Sequence, residues 1–383
     1  MDPSVSPTST QALPGQRPRG AFRLARLGGV PIYLHSSYLL LAAVVIIVYG
    51  PLARRLLHPL SSVGGYLLAG GFVVCLLLSV LLHELGHAIV ARRQGIGVKA
   101  ITLELLGGYT EMASDSPSPR ADALVSLAGP AVSAVLGLIG LGLQRIFPHG
   151  VAHLLAFQIA WSNLIVAAFN VLPGLPLDGG RALRALVWKI TGDRNVATAV
   201  AGWFGRLVAL ATVGVVIVLS YYERVTFLSV TLAAFVALVV WQGATASIRQ
   251  AHVATRVPGV DLRRLARPVV VVPSGTPLAE ALRRQAESGW PQAAIALADG
   301  SGRLAALVHE RSAANVPIEQ RPWVPVDSVA RSLDSSRTLA LDLPGEDVLA
   351  AVQAHPAPDY LVVSGDAVVG VLRTADLVRM LNS

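Results

Sequence analysis

Six stretches of this chain are apolar over lengths that reach or approach what a bilayer crossing needs, and this leaves few folds open. They cover residues 32–50, 64–90, 121–143, 153–172, 207–221 and 226–241. A hydrocarbon core of about 30 Å takes roughly 20 residues of α-helix. Backbone at that depth must satisfy its hydrogen bonds internally, which a helix does without partners. The fifth and sixth stretches are short and joined by Tyr222-Glu223-Arg224, so they read as a helical hairpin. Charged residues make up only 14% of the 383, against about a quarter in a soluble protein. Mean hydropathy is +0.59. The prediction is a polytopic α-helical membrane domain of about six transmembrane helices over residues 25–250.

The formal charge of +8 does not call for nucleic acid, because the arginines flank the apolar stretches. Arg17, Arg19, Arg23 and Arg26 precede the first, Arg92, Arg93 and Lys99 follow the second, and Arg181, Arg184, Lys189 and Arg194 follow the fourth. Arg249 and Arg256 follow the sixth, while the opposite side holds only Arg54, Arg55, Arg145 and Arg224. This asymmetry puts both termini in the cytoplasm of a multi-pass cell-membrane protein. The single cysteine, Cys75, excludes an intrachain disulfide and a cysteine metal site. Residues 1–24 lack the apolar core of a signal peptide and read as a disordered tail.

Past Trp241 prolines and charges appear and apolar runs shorten to strand length. The spacing predicts a strand at 269–272, a helix at 277–287, a strand at 293–297, the turn Asp299-Gly300-Ser301-Gly302 and a strand at 304–308. A second copy about 65 residues on has a helix at 346–354, strands at 360–363 and 368–372 around Ser364-Gly365-Asp366, and a closing helix at 374–381. An α+β tandem repeat is expected.

The chemistry lies in His83-Glu84-Leu85-Gly86-His87, which ends the second apolar stretch. On a helix the two imidazoles, four residues apart, share a side. Such a pair can hold zinc, with Glu84 free to act on water at the metal. Ionisable groups in a span are costly and mark function. The fourth stretch ends Phe169-Asn170-Val171-Leu172-Pro173-Gly174-Leu175-Pro176-Leu177-Asp178-Gly179-Gly180. The prolines break the helix and let Asp178 project from unwound backbone as a third ligand. Alternatively, Asp178 caps the helix starting near Gly179. Residues 97–110, ending near Gly107-Gly108, read either as an extended or re-entrant hairpin near the metal or as an ordinary cytoplasmic loop. An exposed sheet edge there could pair with an extended substrate.

These motifs, with Leu127-Ala128-Gly129-Pro130 and Gly28-Gly29-Val30-Pro31-Ile32, resemble the site-2 protease family of intramembrane zinc metalloproteases over residues 28–246. The resemblance implies one zinc ion per chain on His83, His87 and Asp178, with Glu84 as general base. Asn170 falls where the family has an asparagine eight residues before the aspartate, implying substrate positioning or oxyanion stabilisation. A helix–helix hydrogen bond is the alternative for it. Asn163, read as lying on a further helical face, is taken as structural. The implied substrates are membrane-spanning regulatory proteins such as anti-sigma factors, hydrolysed within the bilayer.

The tail resembles a pair of cystathionine-β-synthase (CBS) domains, at 267–320 and 325–383. Family members with such a tail usually lack a PDZ insertion, and no insert of that size is present. CBS pairs often bind adenine nucleotides through a Thr or Ser followed three residues later by Asp. Here Asp376 is kept, but Arg373 replaces the hydroxyl residue, and the first copy has His309 and Ser312. These departures leave nucleotide binding open, as they do modulation by the tail and a homodimer through it. Two other functions are compatible with a metal site: a zinc transporter or sensor without hydrolytic activity, and a silent adaptor. Neither explains Glu84 beside the first ligand.

Overall fold

The computed structural model describes residues 20–57, 60–105, 107–222, 226–290, 292–299, 304–332, 337–365 and 367–382. The expectations resting on residues 1–19, 223–224, 300–302 and 366 fall outside them. The chain forms two compact units, Met1–Ala251 and His252–Ser383.

The first unit opens with β1 (Ala21–Leu27) and β2 (Val30–His35). Between them Gly28 and Gly29 have φ of +54° and +87°, as a two-residue type I′ hairpin turn requires. β1 therefore reaches back to Ala21, inside the stretch 1–24 expected as disordered tail. Residues 32–35, expected to open the first span, are strand as well. Six residues of apolar alternation look much like the start of an apolar helix, and hairpin pairing decides the matter. The helix begins at Ser36, where Nδ1 of His35 accepts from the Ser37 amide at 3.2 Å.

There follow α1 (Ser36–Leu56), α2 (Ser62–Arg93), β3 (Val98–Glu104), β4 (Gly107–Met112), α3 (Pro119–Ile146), α4 (Gly150–Val171), α5 (Asp178–Thr191), α6 (Arg194–Tyr221) and α7 (Phe227–Arg256). Six described helices, all of these but α5, are long and apolar enough to cross a membrane. α6 and α7 are much longer than the stretches that announced them, because helical bonding continues through flanking polar turns. The bundle buries a small polar cluster among small apolar residues and turns large apolar side chains outward. Leu67, Leu138, Ile165 and Ile217 lie exposed, while His83, Glu84, His87, Ser133 and Asn163 are buried. Only lipid tails suit that outer surface, so this is a multi-pass membrane protein. The strands form one sheet in the order β1-β2-β3-β4, with β2 and β3 parallel and β4 at the edge. Val98–Glu104 and Gly107–Met112 thus pair as an extended antiparallel hairpin, not an irregular loop.

The second unit holds α8 (Leu262–Leu265), β5 (Val269–Pro273), α9 (Leu278–Glu287), β6 (Ala294–Ala298), β7 (Leu304–Val308), α10 (Glu310–Ala314), β8 (Ala330–Ser332), β9 (Thr338–Ala340), α11 (Gly345–Ala354), β10 (Asp359–Ser364), β11 (Ala367–Arg373) and α12 (Thr374–Asn382). The duplication is visible in the pairing. β5 is parallel to β6 and β6 antiparallel to β7, just as β9 is parallel to β10 and β10 antiparallel to β11. Each copy has its own core, around Val272, Leu278 and Ile295 in one and Leu339, Tyr360 and Leu372 in the other. The short elements α8, α10, β8 and β9 were not expected, since three to five residues are too few to show a period.

Candidate metal centre

The helical spacing of α2 places His83 and His87 side by side, with their Nε2 atoms 3.2 Å apart. Each Nε2 is also 3.2 Å from Oδ2 of Asp178. The other ring nitrogens are engaged by α3: Nδ1 of His83 lies 2.9 Å from Ser133 Oγ, and Nδ1 of His87 lies 2.7 Å from the Val125 carbonyl. A carbonyl only accepts, so Nδ1 of His87 carries the proton and Nε2 turns a lone pair inward. Both rings are buried. Two imidazole nitrogens and one carboxylate oxygen converging in a buried pocket repel one another unless a proton or cation lies among them. This donor set suits one zinc ion and leaves a coordination position open.

Asp178 arrives differently from the expectation. It is the first residue of α5, not part of unwound backbone, and the N-cap is Leu177, which makes no side-chain cap bond. The Asp178 carboxylate faces the histidines, so capping does not account for it. A carboxylate is favoured in the first turn by the helix dipole. The loop before it is pinned by the Leu175 amide, which donates to the Ala201 carbonyl at 3.0 Å. Gly129 of α3 brings its backbone so close to the imidazoles that a β-carbon there would strike Nε2 of both His83 and His87.

Glu84 is 5% exposed. Thr110 of β4 donates its hydroxyl to the Glu84 carboxylate at 2.7 Å, so the hairpin reaches the site. Asn170 donates to the Val166 carbonyl of its own helix, not to a neighbouring helix. Asn163 makes the inter-helix bond, to Ser79 Oγ of α2 at 3.0 Å. Seven residues are nearly two full turns, so Asn163 shares the face of Asn170. Both line a cavity of about 620 Å³ together with His83, Glu84, Gly108 and Asp178.

Sequence reasoning missed Thr110, Ser133 and an ion pair beside the site. Asp122, fully buried, accepts from Arg184 Nη2 at 2.7 Å and Nε at 3.0 Å. By sequence alone Arg184 is one of the basic residues flanking the fourth apolar stretch. An aspartate inside the stretch 121–143 was the available signal. In the tail, Asp376 is held by Arg267 at 2.7 and 3.0 Å, which keeps its carboxyl below the usual range. Arg373 pairs with Glu310 at 2.6 Å, and Nδ1 of His309 accepts from the Ser312 amide. The residues aligned with nucleotide contacts are thus engaged internally.

A centre of this kind inside a bundle of membrane-length helices defines the class, a membrane metalloprotein with a carboxylate beside its metal-binding donors. The profile of "Peptidase family M50" matches residues 71–149 and 144–214. "Putative zinc metalloprotease sll0528" from Synechocystis sp. is 31% identical, over 97% of this chain and 98% of its own length. The chain belongs to peptidase family M50, the zinc metalloproteases of the site-2 protease family. Among solved structures, "Site-2 Protease from Methanocaldococcus jannaschii" is 26% identical over 60% of this chain and 95% of that one, with a TM-score of 0.42. The tail is similar to "CBS-domain containing protein ATU1752 from Agrobacterium tumefaciens", at 16% identity over 31% of this chain and 88% of that one and a TM-score of 0.25. Family membership makes the chain a zinc metalloprotease with a protein substrate, and the non-hydrolytic metal carrier falls away.

Proposed function

We propose that the protein hydrolyses peptide bonds in or beside the membrane-spanning segments of regulatory proteins, with His83, His87 and Asp178 as zinc ligands. The convergence of their three donor atoms at 3.2 Å, with Glu84 on the turn between the two histidines, carries this reading. Zinc bound there supplies a Lewis acid that acidifies water and polarises a scissile carbonyl. Glu84, aimed by Thr110, takes a proton from the attacking water and returns it to the leaving amine. Asn170 has one amide hydrogen committed to Val166 and a second free to bind the substrate carbonyl in the cavity. A helical substrate must unwind first, because its carbonyls are engaged in the helix. The edge of β4 offers the extended strand a partner.

The arginine asymmetry supports an orientation with both termini and the tail in the cytoplasm. Membrane-anchored regulators of the anti-sigma-factor kind fit such a site by family resemblance, and the CBS-like tail is the place for modulation or pairing of chains. Glu84→Gln tests the reading. Zinc content should stay at one per chain while cleavage of candidate membrane substrates, compared by fragment profiling with the wild type, stops. Continued processing in cells lacking other proteases would remove Glu84 from the role of base.

A further inference from the structure

We infer that the buried Asp122–Arg184 pair is a positioning device that sets Asp178 at coordinating distance from His83 and His87. This deepens, and rests on, the reading of Asp178 as third ligand. Asp122 has no solvent exposure; besides Arg184 it accepts from Ser116 Oγ at 3.0 Å, and Nη2 of Arg181 lies 3.8 Å away. A buried ion pair is a poor source of stability compared with apolar side chains of the same size, and its best-attested use is fixing register.

The register in question is that of α5 against α3. α3 carries the groups that engage the far side of the histidine rings and crowd their Nε2 atoms: the Val125 carbonyl, the bare backbone of Gly129 and the Ser133 hydroxyl. α5 carries Asp178. From Asp122 to Gly129 is a rise of about 10 Å along α3, and from Arg184 back to Asp178 about 9 Å along α5, at 1.5 Å per residue. Both helices therefore reach the metal centre about two turns from the pair, running in opposite directions. A slip of one turn would move the Asp178 carboxylate by about 5.4 Å, whereas coordination distances hold to about 0.2 Å. The guanidinium engages both carboxylate oxygens, fixing angle as well as distance, which an ammonium cannot do.

The test measures zinc affinity of the full-length protein in detergent, by competition with a chromophoric chelator, beside its Tm. Asp178→Ala serves as reference and should weaken zinc binding about 100-fold, and Arg184→Lys about 10-fold. The double variant Asp122→Leu/Arg184→Met should keep a Tm close to the wild type and still bind zinc about 10-fold more weakly. That combination separates positioning from a structural role. A double variant with wild-type Tm and wild-type zinc affinity overturns the inference. Should the double variant not fold, Arg184→Lys decides, and unchanged affinity overturns the inference there too. Unchanged affinity in Asp178→Ala overturns the ligand assignment itself, and the positioning with it.

Discussion

Gly129 shows how much of the centre depends on an atom that is not there. Its position in α3 allows no β-carbon, because both Nε2 atoms lie where one would go. Gly129→Ala should weaken zinc binding about 100-fold, since an imidazole must move by far more than coordination tolerates. The control is Gly142→Ala on the same helix, where nothing lies within 4 Å. It should leave zinc untouched and stabilise the helix by about 0.5–1 kcal/mol. Equal zinc affinity in both variants, read by chelator competition, would show that the close approach is unimportant. At this scale the sequence was legible wherever spacing along one helix carries the message. His83, Glu84 and His87 announce themselves at i, i+1 and i+4, and Asp178 by the prolines before it. Thr110, Ser133 and the Val125 carbonyl were not legible, because each is an ordinary residue until another element brings it to the site.

Among the elements, the long apolar helices could be read and the short polar-edged ones could not. The hairpin of β3 and β4 stood open between two readings, since its role depends on joining β2 in parallel across a long stretch of chain. The tail was readable to within a residue or two at β7 and α11, where turn residues punctuate short apolar runs. What ties its ends together was not. Arg267, just before β5, binds Asp376 at the start of α12. The bond holds the Asp376 carboxyl below the usual range, so near pH 4 this group binds less proton in the folded tail than in the unfolded chain. Its stabilising effect is therefore complete above the ordinary carboxylate value of about 4 and is lost as pH falls through the lower, folded value. Asp359, which burial pushes up, has the opposite sign. The informative quantity is accordingly the difference between wild type and Arg267→Met. The variant should be less protected at pH 7 and should lose less between pH 5 and pH 3. Hydrogen exchange of β11, corrected for intrinsic rates, reads this, and parallel losses in the two proteins would rule out the pair as the source.

For the whole molecule, the division of labour follows from where the residues fall. Every group lining the metal cavity lies in the first unit, and the cores of the tail are built wholly from the second. Zinc is therefore expected to report on the first unit only. Removing it with a chelator should lower hydrogen-exchange protection around His83 and His87 in α2 and Asp178 in α5, which lose the ion that offsets their mutual repulsion. Protection across β5–β7 and β9–β11 should not change. Coupling between sites is reciprocal, so a tail indifferent to zinc cannot in turn tune zinc affinity. Any control the tail exerts must then act on a step other than metal loading. Loss of tail protection on chelation would reverse that conclusion and make metal loading itself the regulated step.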